Sequence, residues 1–176
     1  MLPMEGETCE ISNLKCHVDF QKEISPPPHS KQRFNFFLTK VSGFSFVIFN
    51  KRGFVNISGV KNFNTLHHLR KVLQETFNTP VKIENIIIDN ITASGKLCWS
   101  NRYKFQNLTK LNDISLSLNP QSFPAAIIRP KRHTYIKKIG TIILFSNGKY
   151  IIVGCKSEEN LIETWKKLIS IKNSML

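Results

Sequence analysis

One succession of patterns occurs twice in this chain, and that recurrence constrains the fold more than any single motif. Residues 44–49, Phe-Ser-Phe-Val-Ile-Phe, and residues 53–59, Gly-Phe-Val-Asn-Ile-Ser-Gly, are β-rich and joined by the turn-like Asn50-Lys-Arg-Gly53. A helix is predicted over residues 64–77, because Leu66, Leu69, Val72, Leu73 and Phe77 fall on one face behind Asn64 as N-cap. The same order returns near the C-terminus. Residues 141–145 and 149–154 flank Ser146-Asn-Gly148, a hairpin turn whose Asn-Gly pair tolerates positive φ. Ser157 then caps a helix over residues 158–169, with Leu161, Ile162, Trp165, Leu168 and Ile169 on its apolar face. Its acids, Glu158 and Glu159, lie in the first turn, where the helix dipole favours them. Each copy also opens on a related strand, residues 11–14 and 83–86, and carries a Phe-led strand, residues 33–40 and 122–129. Asn13 to Asn85 is a step of 72, and Gly59 to Gly154 a step of 95. A widening step means insertions in the second copy, hence an internal duplication and not a solenoid. The copies join near Asn78-Thr-Pro80.

The charge balance narrows the partners. Lys and Arg number 25 against 12 Asp and Glu, a net charge of +13, which points to a polyanion such as nucleic acid or an acidic membrane surface. An apolar content of 41% excludes a disordered basic tail. No apolar run reaches the ~18–20 residues that span a bilayer. Residues 1–10 lack the basic-then-apolar order of a signal peptide, so a soluble intracellular protein is expected. Cys9, Cys16, Cys98 and Cys155 include no Cys-x-x-Cys, and Cys16-His17 alone cannot fill a tetrahedral metal site. The cysteines are read as reduced and mostly buried, with no metal and no cofactor expected. No nucleophile elbow, Walker loop or zinc-protease motif is present, so no enzymatic activity is expected.

The second copy resembles the core domain of the TATA-binding protein family. Val81-Lys-Ile-Glu-Asn-Ile-Ile is similar to the family's Phe-Lys-Ile-Gln-Asn-Ile-Val, and Phe123-Pro-Ala-Ala-Ile-Ile-Arg129 to its Phe-Pro-Gly-Leu-Ile-Tyr-Arg. Ile143-Leu-Phe-Ser-Asn-Gly-Lys-Tyr-Ile-Ile-Val-Gly-Cys-Lys156 is similar to its strand–Ser-Gly-Lys–strand–Thr-Gly-Ala-Lys segment. The first copy matches more loosely, through Asn13, Arg33-Phe34, Phe49 and Ser58-Gly-Val-Lys61. The resemblance implies an α+β fold of two pseudo-symmetric repeats, residues 9–78 and 79–172, with a short extension (1–8) and tail (173–176). The repeats would form a saddle of curved antiparallel β-sheet, with helices on the convex face and DNA on the concave one.

The family is itself one of the known minor-groove binders that kink DNA with apolar wedges. The resemblance places the wedges at Phe34, Phe49, Phe123 and Phe145, although a chain with 13 Phe also uses them as ordinary strand residues. It places groove-floor donors at Asn13 and Asn85, since an amide can donate to the acceptors of A·T pairs. Apolar or small groove contacts are expected from Val47, Ser58, Ile87, Ile143, Ile151 and Val153. Phosphate contacts are expected from Lys40, Lys61, Arg129, Lys149 and Lys156, and the net charge favours such a set.

There are also departures. Lys15 and Asn56 stand where the family has Val, Val153 where it has Thr, and Phe54 where it has Lys. A charge in a flush apolar interface is costly unless it reaches an acceptor, so the first repeat is expected to bind differently or less tightly. The connection from Phe123 to Phe145 is longer than the family's and carries Arg129, Lys131, Arg132, Lys137 and Lys138, a basic clamp beside the wedge. The family's acidic stretch before Phe-Pro helps contact transcription factor IIB; here residues 118–122 hold no acid, which argues against docking in the usual way. The leading reading is a monomeric transcription initiation factor that binds and bends A·T-rich double-stranded promoter DNA. Its further partners would be general or virus-encoded initiation factors and RNA polymerase, in a nucleus or at a viral transcription site, with no membrane and no small-molecule substrate. The alternative is a saddle-shaped protein-interaction scaffold with weak or no DNA binding, favoured by Lys15, Asn56 and the missing acids. A nucleic-acid-binding domain of an enzyme is the third reading, but the duplication leaves no room for a catalytic domain.

Overall fold

Alternation of buried and accessible residues along the strands sorts each half of the chain into a core face and an open face. The computed structural model describes residues 7–98, 105–119, 121, 123–131 and 139–175. Two compact units emerge: Asn13–Asn90, and Ile91–Leu176 together with Met1–Ser12. The strands are β1 (Thr8–Asp19), β2 (Lys31–Arg33), β3 (Phe36–Val41), β4 (Phe44–Phe49) and β5 (Phe54–Val60), then β6 (Ile87–Lys96), β7 (Ile114–Asn119), β8 (Phe123–Pro130), β9 (Thr141–Phe145) and β10 (Lys149–Cys155). The helices are α1 (Thr65–Phe77) and α2 (Glu158–Asn173). β1 and β6 each contribute residues to both units.

In the Asn13–Asn90 unit the hydrogen-bonded order is β2-β3-β4-β5-β1. Leu14, Cys16, Val18, Phe46, Ile48 and Ile57 are buried on one face, against Leu69, Val72 and Leu73 of α1. Phe77 closes this core, its ring 5.2 Å from Phe20 and 6.2 Å from Phe46. In the other unit the order is β6-β10-β9-β8-β7. There Ile142, Leu144, Tyr150 and Ile152 are buried, against Leu161, Trp165 and Leu168 of α2, which packs on β9 and β10. The Tyr150 hydroxyl donates to the Thr8 carbonyl at 2.6 Å, and burial holds its pKa far above the usual phenol value, so it remains a donor. Among the described residues no helix is long and apolar enough to cross a membrane.

Three local expectations need correction. Residues 83–86 do not open a strand: Ile83–Asn85 is a 3-10 turn, and β6 starts at Ile87. The Asn85 side-chain oxygen accepts from the Lys82 N–H at 3.0 Å, a local bond that competes with the ladder. Residues 33–40 are not one strand either. β2 and β3 pair as Arg33↔Phe36, so Phe34 and Asn35 form the two-residue turn of a hairpin. Finally, Asn64 makes no cap bond to α1. Asn62 does so instead, its side-chain oxygen accepting from Thr65 N–H at 3.0 Å while the Thr65 hydroxyl donates back to Asn62 O at 2.7 Å. The Ser157 cap of α2 is present, accepting from Asn160 N–H at 3.1 Å.

All four cysteines are free thiols. Cys16 and Cys155 are buried, Cys9 is half-buried and Cys98 is exposed, so burial covers fewer of them than composition implied. Burial, with a smaller contribution from the Asp89 charge, pushes the Cys16 thiol up to about 12.

Candidate nucleic-acid interface

On the open face of the Ile91–Leu176 unit, strand register lines up Ser117, Ile127, Ile143, Ile151 and Ser94 across five strands. Ile143, Ile151 and Val153 alternate with the buried Ile142, Leu144 and Ile152, so they share this accessible side. Val153 pairs with Thr141. Arg129 is exposed opposite Ser115, two residues along from Ile127 and Ser117 and therefore on the same face. Lys149 is exposed two residues before Ile151 on that face, and Lys156 is exposed just past β10.

At the end of this unit two phenylalanines meet. Phe123 is the first residue of β8 and Phe145 the last of β9, and their ring centroids are 6.1 Å apart. Phe123 is 39% exposed although it is a large hydrophobe. Gly148, at φ 81°, turns the chain directly after Phe145, with its N–H bonded to Phe145 O at 3.0 Å. Of the basic residues between Phe123 and Phe145, Arg129 in β8 and Lys131 just past it are exposed. Arg132, Lys137 and Lys138 lie outside the described residues.

The open face of the Asn13–Asn90 unit has the same plan with different chemistry. Leu38, Val47, Asn56 and His17 form one row, and Lys40, Ser45 and Ser58 the next. Val47 and Ser58 are half-buried; Lys40 and Lys61 are exposed. Phe34 stands at the β2–β3 turn, 99% exposed. Phe49 does not stack on it: its ring contacts Phe36 at 5.8 Å and Phe54 at 6.2 Å. Phe34 and Phe49 do line one groove of about 460 Å³, together with Arg33, Phe36, Lys51 and Arg52. The structure thus brings Phe123 and Phe145 into ring contact, and brings Phe34 and Phe49 only to a shared groove.

Asn13 is half-buried on β1, on the side opposite Leu14 and Cys16. Asn85 is exposed, and since its side-chain oxygen is taken by Lys82 N–H, its NH₂ is the end left to donate to a ligand. Ile87 follows at 50% exposure. Lys15 is exposed on the same side of β1 as Asn13.

Two features were not singled out from the sequence. His17 stacks on Phe54 at 4.8 Å, which extends the Phe36–Phe49–Phe54 contacts into an aromatic strip. His17 also pairs with Asp89, its Nδ1 lying 2.8 and 3.0 Å from the two carboxylate oxygens. The alternation Phe54-Asn56-Ser58 held the signal for the first, and no sequence pattern held it for the second. Among the described residues no cluster of His, Cys, Asp or Glu could hold a metal ion.

This geometry is a pair of open β-faces, apolar or small at the centre, cationic at the margin and carrying phenylalanines at strand ends. Residues 85–173, just over half of the chain, match the family described as transcription factor TFIID, or TATA-binding protein. The chain belongs to the TATA-binding protein family. Among solved structures it is similar to Methanococcus jannaschii TBP, with a TM-score of 0.70 and 20% identity over 96% of this chain and 99% of that one. At that identity the likeness speaks for the fold, an α+β TATA-binding-protein-like fold. No curated protein sequence matches the chain. The TATA-binding protein family is one of DNA-binding transcription factors and not of enzymes.

Proposed function

We propose that this chain is a transcription initiation factor that binds A·T-rich promoter DNA through the minor groove, bends it and nucleates a preinitiation complex. Each of the two repeats, residues 9–78 and 79–172, would present its open face to duplex DNA. The observation that carries the reading is the Phe123–Phe145 pair, two adjacent rings at strand ends with one of them accessible. Soluble proteins bury such rings unless a partner covers them. An unstacked base step is a flat apolar partner of the right shape, and inserting side chains of this kind is how minor-groove proteins of this family bend DNA. Phe34 and Phe49 supply the equivalent wedge of the first repeat, with Arg33, Lys51 and Arg52 at its groove to meet phosphate. Asn13 and Asn85 donate to the acceptors of the groove floor. Val47, Ser58, Ile87, Ile143, Ile151 and Val153 press on base edges and sugars, and Lys40, Lys61, Arg129, Lys149 and Lys156 face the backbone. The factor acts as a monomer with initiation factors and RNA polymerase of its host or virus, in a nucleus or at a viral transcription site.

The phosphate assignment is tested by anisotropy titration of an A·T-rich and a G·C duplex over a range of salt. Affinity is expected to fall steeply with salt on both, with the A·T-rich duplex bound more tightly at every concentration. Arg129→Ala is expected to weaken binding to both duplexes alike and to lower the salt slope by about one. An unchanged slope would place Arg129 away from phosphate. Failure to bind either duplex would leave the scaffold reading in its place.

A further inference from the structure

We infer that the open face of the Asn13–Asn90 unit carries a second binding site, a row of aromatic rings on which unpaired bases of single-stranded DNA stack. A duplex keeps its base faces stacked inside, so this site takes a different ligand from the minor-groove one.

The row crosses neighbouring strands of one unit. Phe49 and Phe54 are paired across β4 and β5, and Phe36 of β3 packs against Phe49. Phe49 and Phe54 adjoin the buried Ile48 and Val55, so they stand on the open side with Val47 and Asn56. His17 of β1 joins them by stacking on Phe54 at 4.8 Å. The Phe36–Phe49 and Phe49–Phe54 centroids are 5.8 and 6.2 Å apart, with the rings tilted by 48° and 57°. Each of the four rings is half-buried, so neighbours fix it while part of it stays accessible. Outward positions of a sheet with one solvated face are ordinarily polar, and three phenylalanines there call for a partner. The other unit is built differently. Phe145 ends β9 as Phe49 ends β4, but its register partner on β8 is Ala125, and the line across that open face is serine and isoleucine.

Charge then sets where the phosphates go. Arg33 is the register partner of Phe36, so it stands at the β2 end of the row on the same face. The groove of about 460 Å³ at that end is lined by Arg33, Lys51 and Arg52 with Phe34, Phe36 and Phe49, and by no acid. A guanidinium grips phosphate through two parallel N–H groups and also stacks on flat rings. The acids lie at the other end. Asp19, opposite Phe54 in register, accepts from Gln21 N–H at 2.8 Å, and Asp89 pairs with His17 Nδ1 at 2.8 Å. Their charge repels phosphate, so the backbone of a bound strand keeps to the Arg33 end while its bases lie along the rings. Aromatic rings on an open sheet stack two or three bases in this way. Stacking reads the face of a base and not its edge, so it tolerates any sequence. DNA is the strand in question, because the chain belongs to a family of DNA-binding transcription factors.

The test is an anisotropy titration of the full chain with three end-labelled strands of equal length at one salt concentration. These are oligothymidine, an abasic strand that keeps the phosphates and lacks the bases, and oligouridine. Oligothymidine is expected to bind at least about tenfold more tightly than the abasic strand, the scale of one stacked base. In the double variant Phe36→Leu with Phe54→Leu the apolar bulk stays and the ring faces go, and this preference is expected to collapse. Equal binding of oligothymidine and the abasic strand, failure of both to bind, tighter binding of oligouridine, or a preference that survives in the double variant would each overturn the inference. An A·T-rich duplex titrated alongside keeps the two readings apart. Duplex binding together with any of those results leaves the minor-groove reading standing, whereas the base preference without duplex binding upholds this site and counts against that reading. The abasic comparison needs no variant, so it decides the point even if the double variant fails to fold.

Discussion

Replacing Phe123 and Phe145 together by alanine is expected to abolish the bending of an A·T-rich duplex while leaving most of its salt-sensitive binding. Unstacking one base step costs about a few kcal/mol, and a minor-groove wedge has to offset that with ring contact to the exposed base faces. Contact between an aromatic ring and a base contributes roughly 1–3 kcal/mol. Two rings 6.1 Å apart can each take a share of one opened step, so removing both leaves nothing to hold it open. The cations are untouched by the change, and the chain keeps its +13, so the non-specific component survives. Fold loss is not expected to confuse the result, because Phe123 is exposed and Phe145 only half-buried. Mobility of circularly permuted fragments separates the two effects. The double variant should bind at low salt without the position-dependent retardation of wild type. If it retards the fragments as wild type does, Phe123 and Phe145 are not the wedge.

The second large effect concerns the fold itself. Gly95→Ala is expected to destabilise the protein by about 3 kcal/mol, at the upper end of what overpacking costs. A Cβ at residue 95 would stand 1.8 Å from the Thr8 carbonyl oxygen and 2.7 Å from the Tyr150 hydroxyl. The backbone oxygen cannot rotate away as a side chain could. β1 would have to leave β6, and the 2.6 Å bond from Tyr150 to Thr8 would break with it. A denaturant melt reads the loss as a lower midpoint with little change in slope. A midpoint equal to wild type would mean that β1 does not pass this close to Gly95 in solution.

The duplication was legible because its landmarks are chemical as well as periodic. Asn147-Gly148 can hardly be anything but a turn, Ser157 is a helix cap by type, and the strands of both hairpins alternate cleanly. Two of the misleading stretches share a reason, which is that a local hydrogen bond outcompeted the larger pattern. Asn85 ties its own oxygen to Lys82, and residues 83–86 curl into a turn where the apolar pattern reads as strand. Asn62 takes the cap from Asn64 because Thr65 can bond to it twice. In residues 33–37 the run Phe34, Phe36, Phe37 hides Asn35, whose turn chemistry decides the hairpin and leaves Phe34 at its tip.

The candidate site divides in the same way. Strand residues such as Ile143, Ile151 and Val47 follow from period two once the strands are placed. Ring contacts do not follow, because they depend on which strand ends lie side by side. That is why Phe123 and Phe145 were paired only through a resemblance, and why Phe49 turned out to contact Phe36 and Phe54. His17 and Asp89 are 72 residues apart in sequence and 2.8 Å apart in space. Neither is unusual alone, and no spacing in the sequence brings them together: by strand register the counterpart of His17 is Ser94.

The central claim is that the chain bends A·T-rich DNA. Fluorescence energy transfer across a short end-labelled A·T-rich duplex tests it most directly, with a G·C duplex as control and two salt concentrations. A rise in transfer on the A·T-rich duplex alone, reached at higher protein concentration when salt is raised, is the predicted result. Binding that leaves transfer unchanged, or a rise of equal size on both duplexes, would contradict it.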